Sequence, residues 1–137
     1  MASAMEAYAK EQVAHLLDRL AYQVSRAAKQ GDEETIHDLR VAIRRFTQSL
    51  RVFGQFLPRS AARKIRRKLK SLMQIAAEVR NRDIAVQLIV AAGVPARSGI
   101  VPALRAERNE QQKALVSAIK AWNRRSFSRK WRDRLKL

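Results

Sequence analysis

The segment from Ile36 to Leu57 carries an apolar side chain at every third or fourth position, and the two spacings alternate throughout. The positions are Ile36, Leu39, Ile43, Phe46, Leu50, Phe53 and Leu57. An α-helix brings such positions onto one side, where they form the seam by which a helix packs in a bundle. The pattern predicts a helix over 33–57, which Pro58 ends.

Similar periodicity predicts three further long helices, over 4–29, 59–80 and 100–122. The seam of the last helix includes Arg108 among its apolar residues. Asn81 breaks the pattern after the third helix and can cap a shorter apolar helix over 84–92.

The expected fold is therefore all-α. It is an antiparallel four-helix bundle with a short extra helix after the third long helix and a short C-terminal helix. We expect one domain over 1–137, with its core at about 4–122. The basic tail, 123–137, is expected to form a short amphipathic helix that docks weakly on the bundle through residues spaced four apart: Phe127, Trp131 and Leu135.

The charge of the chain points to an anionic partner. Lys and Arg number 29 against 12 Asp and Glu, which gives a net charge of +17. Repulsion of this size disfavours a compact state unless an anion is nearby. The partner classes are nucleic acid, an acidic membrane surface and a phosphate polymer, and a merely solvated basic surface is the alternative.

The location expected for the chain is the cytoplasm. Cysteine is absent, which permits a reducing compartment. The apolar runs are too short to span a bilayer, and the first residues do not have the pattern of a secretion signal. A membrane partner is therefore not favoured, although the tail has the Trp, Lys and Arg that membrane-surface helices use.

Basic side chains gather on one flank of the second helix. With about 100° per residue, His37, Arg40, Arg44 and Arg51 fall together at about 100–180° from the seam, whereas Arg45 lies apart at about 240°. Like charges at this spacing cost helix stability. Arginine forks bind phosphate oxygens bidentately, so the flank is interpreted as an anion site, with an ordinary surface histidine as the alternative for His37.

The third helix carries a second basic stripe at about 100–160° from its own seam. Its members are Arg59, Arg63, Arg66 and Lys70. The two stripes form one groove if they face the same side of the bundle, and this depends on the handedness of the bundle.

Catalytic patterns are missing from the sequence. It contains no glycine-rich phosphate loop, and two separated histidines without cysteines or a carboxylate cluster do not make a transition-metal site. We therefore expect no enzyme activity, no cofactor and no metal. A phosphohydrolase function would need an acidic partner domain on another chain.

Two segments resemble the signature of the CHAD domain, the conserved histidine α-helical domain. EETIHDLRVAIRRF (33–46) has a histidine, then LRV, then an arginine pair one turn later. LKSLMQIAAEVRNRDIAV (69–86) resembles the family's second conserved block. The resemblance implies an all-helical domain that binds inorganic polyphosphate through basic helix surfaces, often on polyphosphate granules.

The resemblance also implies which residues take part. It places His37, Arg40, Arg44 and Arg45 at the signature positions. Lys70 and Arg80 match basic positions of the second block, and Asp83 matches an acidic one. From its charge alone, Asp83 is expected to brace one of the signature arginines. Together with the helix flanks, the predicted polyphosphate-binding set is His37, Arg40, Arg44, Arg45, Arg51, Arg63, Arg66, Lys70 and Arg80.

The sequence departs from the family pattern in ways that bear on function. Asn81 stands where an Asp is usual, Ala77 where a Gly is usual, and Thr47 where another basic residue often follows the pair. Family domains also contain two related bundles, whereas this chain carries one signature. A homodimer with a shared basic groove would rebuild the pair.

The leading hypothesis is thus a non-enzymatic polyphosphate-binding module. The main alternative is a protein that binds the backbone of nucleic acid. The basic stripes lack the aromatic residues on which single-strand binders stack bases. A third possibility, compatible with the first, is an adaptor that uses the Trp131 tail as its contact.

Overall fold

The computed structural model describes residues 3–137, so only the first two residues of the predicted domain lie outside it. Five α-helices follow one another: α1 Ala4–Lys29, α2 Glu33–Val52, α3 Arg59–Ala91, α4 Ile100–Arg124 and α5 Phe127–Arg134. Short 3-10 turns, Gly54–Phe56 and Ala96–Ser98, lie in the connections before α3 and before α4. The predicted all-helical bundle is confirmed.

The four long helices form a ring around one core. Contacts join α1 to α2, α2 to α3, α3 to α4, and α4 back to α1. Because the connections are short, successive helices are antiparallel neighbours. The buried side chains are those of the predicted seams, among them Leu17, Ile36, Phe46, Leu69 and Ile119.

Local signals set the start of α1 and the end of α2. The Ser3 hydroxyl accepts a hydrogen bond of 3.0 Å from the Glu6 amide, and this caps α1. The second helix ends at Val52 rather than at the predicted residue 57, because the chain tightens into the 3-10 turn before Pro58.

The third helix is continuous across Asn81, so the predicted break there and the separate helix over 84–92 were wrong. Asparagine lowers helix stability by only about 0.7 kcal/mol relative to alanine, which neighbouring contacts readily outweigh. Arg82 bonds to Glu78 one turn earlier and lies 3.5 Å from Glu107 on α4. The segment predicted as an extra helix is therefore the last third of α3.

The tail is part of the core, so the predicted core of about 4–122 was too short. Trp131 is only 2% exposed, and Phe127 and Leu135 are also buried. The Trp131 ring stacks on Phe46 of α2, with ring centroids 6.1 Å apart and planes within 3°. With its apolar side packed against the bundle, α5 does not present that side to a membrane.

We expect Trp131→Ala to lower the free energy of unfolding by about 3–5 kcal/mol, because it leaves a cavity beside Phe46. Urea denaturation followed by far-UV circular dichroism measures the change. The matched control is Arg129→Ala on the exposed side of α5, expected within about 0.5 kcal/mol of the parent. A loss below about 1 kcal/mol for Trp131→Ala would show that the tail contributes little to the core.

Candidate anion-binding groove

A groove of about 560 Å³ runs between α2 and α3, and we call it the α2–α3 groove. Its floor is apolar, formed by Ile43, Leu69, Met73 and Ala77. Its rims carry six cations: Arg44, Arg51, Arg63, Arg66, Arg67 and Lys70. The apolar seams of α2 and α3 pack toward the core, so the basic flanks of the two helices lie at the opening of the groove.

The sequence did not specify the handedness of the bundle, and the structure does. The flank of α2 and the stripe of α3 face the same side and line one groove. It brings together five of the predicted residues, namely Arg44, Arg51, Arg63, Arg66 and Lys70. Arg59, the first residue of α3, does not line it.

Arg67 is a groove residue that the sequence analysis missed. It lies one turn after Arg63 and next to Arg66, just beyond the arc assigned to the stripe. The signal was present, because an arc about 100° wide would have included Arg67.

Arg40 and Arg80 extend the basic surface beyond the groove. Burial, followed by the nearby charges of Arg44 and Arg80, lowers the pKa of Arg40 from its usual value. The buried Nε of Arg40 has no hydrogen-bond acceptor among residues 3–137. The cluster of three arginines thus holds positive charge that no neighbouring acid neutralises closely.

The acid nearest to this cluster is Glu33, and it offsets little of the positive charge of the cluster. Its Oε2 lies 4.0 Å from Nη1 of Arg80, and the Glu33 side chain is half exposed. The same oxygen accepts a hydrogen bond of 2.8 Å from Gln87. Exposed pairs at such a distance contribute little, so the cluster remains cationic.

His37 is exposed one turn before Arg40, on the same flank of α2. It does not line the α2–α3 groove. The row of basic side chains on α2 therefore begins at His37 and enters the groove at Arg44.

Comparison with known families finds a match over most of the chain. The family model described as the CHAD domain matches residues 11–137. The chain belongs to the CHAD-domain family. This family is associated with polyphosphate binding. Neither the curated proteins nor the solved structures contain a match to the chain.

Arg45 is the CHAD signature arginine that the structure separates from the others. It lies in a cleft between α1 and α2, with Arg19, Gln23 and Asp38. It therefore lies outside the α2–α3 groove, because a position 100° beyond Arg44 faces the other side of α2. Asp38, on the same side, pairs with Arg26 at 2.7 Å.

Asp83 has a different partner from the one expected in this CHAD domain. Its Oδ1 accepts a hydrogen bond of 2.7 Å from Nε of Arg108, and Nη2 of Arg108 also bonds to the Gly31 carbonyl. Asp83 is 6% exposed, so the pair ties α3 to α4 and to the α1–α2 turn. The expectation that Asp83 braces a signature arginine was wrong, because Arg108 occupies a seam position and points inward.

Two further findings concern metal ions and membrane spans. No three His, Asp or Glu side chains within residues 3–137 are grouped so that they could hold a metal ion. None of the helices described here has the length and apolar character needed to cross a bilayer.

We expect Arg40→Met to stabilise the CHAD domain by about 0.5–1 kcal/mol at low ionic strength. Methionine keeps an apolar stem of similar length and removes a charge that Arg44 and Arg80 repel. Urea unfolding in dilute buffer measures the effect, which salt should reduce by screening. Arg129→Met, away from the cluster, is the control. Destabilisation by Arg40→Met would show that favourable contacts hold Arg40.

Proposed function

We propose that this CHAD domain binds inorganic polyphosphate in the α2–α3 groove and does not hydrolyse it. One observation carries the proposal: none of the six groove cations forms a salt bridge within residues 3–137. Six unpaired cations along two adjacent helices repel one another. A phosphate polymer would relieve this repulsion along the whole row.

The shape of the basic surface favours a linear polymer over a single phosphate ion. On α2, Arg51 follows Arg40 by eleven residue steps, which is about 16 Å along the helix. Arg63, Arg66 and Lys70 line the opposite rim. Guanidinium groups bind phosphate oxygens in forked pairs, so successive phosphates of one chain would meet successive side chains.

Charge reversal at Arg44 is expected to weaken polyphosphate binding by about ten- to a hundredfold, since a charge-assisted hydrogen bond contributes about 1.5–3 kcal/mol. Titration of long-chain polyphosphate, followed calorimetrically, measures the affinity. Arg129→Glu is the matched control, because it changes the net charge equally outside the groove. The helical circular dichroism signal should stay unchanged in both variants.

The salt dependence gives a second readout of the same binding. If all six groove cations neutralise a phosphate, the log–log slope of affinity against salt should be roughly −4, taking −0.7 per phosphate as for a single nucleic-acid strand. Equal losses for Arg44→Glu and Arg129→Glu would contradict a defined groove and indicate non-specific attraction.

Binding of the nucleic-acid backbone is the second candidate function. The groove lining contains no aromatic side chain, so it offers bases nothing on which to stack. Competition between long-chain polyphosphate, DNA and RNA at matched phosphate concentration distinguishes the two ligands. Release of phosphate by the purified protein would contradict the non-enzymatic part of the proposal.

We further propose that two copies associate and place their grooves side by side or end to end. The support is the single signature and the exposed apolar side chains of Ile84 and Leu88 on α3 and Ile100 on α4. A twofold interface that included these side chains would cover them in both copies. Polyphosphate-granule targeting would follow from the binding, and tagged parent and Arg44→Glu proteins should then differ in their granule localisation.

Light scattering at micromolar concentration and physiological salt should give twice the mass of the chain. Leu88→Asp should give the monomer mass, since it replaces an exposed apolar side chain of the proposed interface with a charge, while Arg129→Glu should remain dimeric. A parent protein that is strictly monomeric would overturn the dimer and leave the groove proposal standing.

A further inference from the structure

A second basic cleft lies on the other side of α3, between α3, α5 and the end of α4. Its volume is about 430 Å³, and Lys68, Ser71, Trp122, Arg125 and Lys130 are among its lining residues. A neighbouring depression of about 460 Å³ shares Lys68, Trp131 and Arg134 with it and adds Lys64. We call the two together the α3–α5 cleft.

The α3–α5 cleft is separate from the α2–α3 groove. The two linings share no residue. On α3, Lys64 and Lys68 lie about 60–100° to one side of Ile65, whereas Arg66 and Lys70 lie at least 100° to the other side. The third helix therefore carries a basic flank on each side of its buried seam.

The cations of this cleft also lack acidic partners. Lys64, Lys68, Arg125, Lys130 and Arg134 are all exposed. None of them forms a salt bridge within residues 3–137, and no acid lines the cleft. Arg132 of the same short helix differs, since it pairs with Asp18 at 2.8 Å on α1.

Aromatic rings distinguish this cleft from the α2–α3 groove. Trp122, Phe127 and Trp131 pack with ring centroids 5.1 Å apart. Phe127 and Trp131 are almost fully buried and serve the core, whereas Trp122 is partly exposed in the cleft. One accessible indole thus stands among five cations.

This combination matches a ligand that carries both phosphates and a planar base. Lysine and arginine bind the phosphates, and a base can stack on an accessible aromatic ring. The volume falls in the range of small-molecule sites. An acidic membrane fits less well, because Phe127 and Trp131 are buried and Trp122 is only partly exposed as a lining residue of the cleft.

We propose that the α3–α5 cleft binds a phosphate ester bearing a nucleobase, either as a free nucleoside triphosphate or as an unpaired nucleotide of a single strand. The inference is independent of the proposed function, which concerns another cleft and a ligand without a base. Polyphosphate binding in the groove and base binding here succeed or fail separately.

The tryptophans of the chain can report binding in this cleft. It has only two tryptophans, and both line the α3–α5 cleft. Titration with ATP should therefore quench tryptophan fluorescence, and ATP should bind at least fivefold more tightly than inorganic tripolyphosphate, which has phosphates but no base. Equal affinities would overturn the proposal, because the cleft would then be an anion patch.

Matched charge reversals locate the binding. Lys130→Glu should weaken ATP binding about tenfold, whereas Arg44→Glu in the groove and Arg129→Glu on α5 should leave it within twofold. These side chains are all exposed, so each variant should fold, which circular dichroism checks. An equal loss with Arg44→Glu would place ATP in the groove and overturn the proposal.

Substitution of the indole tests the stacking itself. Trp122→Leu should lower ATP affinity to that of tripolyphosphate without changing the latter, whereas Trp122→Phe should keep most of the preference. If Trp122→Leu fails to fold, the comparison of ATP with tripolyphosphate on the parent protein still decides.

Further titrations identify the source of the base. Competition of a short single-stranded oligonucleotide with ATP would indicate an unpaired strand, and its failure to compete would indicate a free nucleotide. Either result supports the proposal. A tryptophan response to acidic phospholipid vesicles but not to ATP would overturn it in favour of a membrane contact.

Discussion

Burial of the α2 seam is the constraint on which the rest of the structure depends. Ile36, Leu39, Ile43, Phe46 and Leu50 are all buried, and a helix has one rotational setting that buries such a seam. That setting fixes the direction of every other side chain on α2. Arg40 and Arg44 are consequently held on the α3 side, and Arg45 on the α1 side. The position of the basic α2–α3 groove follows from the packing of the core.

The same constraint explains how one helix serves two basic surfaces. The seam of α3 packs inward along Ile65, Leu69 and Leu72, so cations on its two flanks face different neighbours. One flank meets α2 and the other meets α5. If acids of the same chain neutralised either basic surface, the repulsion between its cations would fall, but an anionic ligand would bind there less tightly. The unpaired cations thus cost folding free energy by mutual repulsion, and Arg40 has in addition a buried Nε without a hydrogen-bond acceptor among residues 3–137.

Most of the fold and much of the site followed from the periodicity of the sequence, and the errors have physical causes. The break at Asn81 was wrong because a single residue of modest helix propensity does not end a helix that is packed along α4. The predicted core left out the tail because spacing shows that Phe127 and Trp131 share a face but does not show what covers it. Arg67 was missed because the arc of the stripe was taken too narrowly. The partner of Asp83 was wrong because charge alone does not choose between Arg108 and the signature arginines.

The sequence by itself determined the helices, their buried sides, the excess of positive charge and the family to which the chain belongs. These properties depend on local spacing and on composition, which a linear pattern contains. Tertiary structure alone decided that the flanks of α2 and α3 meet in one groove, that Arg45 lies outside it, and that Trp131 reaches Phe46. Each of these relations joins residues from different helices, and their placement depends on the handedness of the bundle and on how α5 turns back, which the spacing within one helix does not specify.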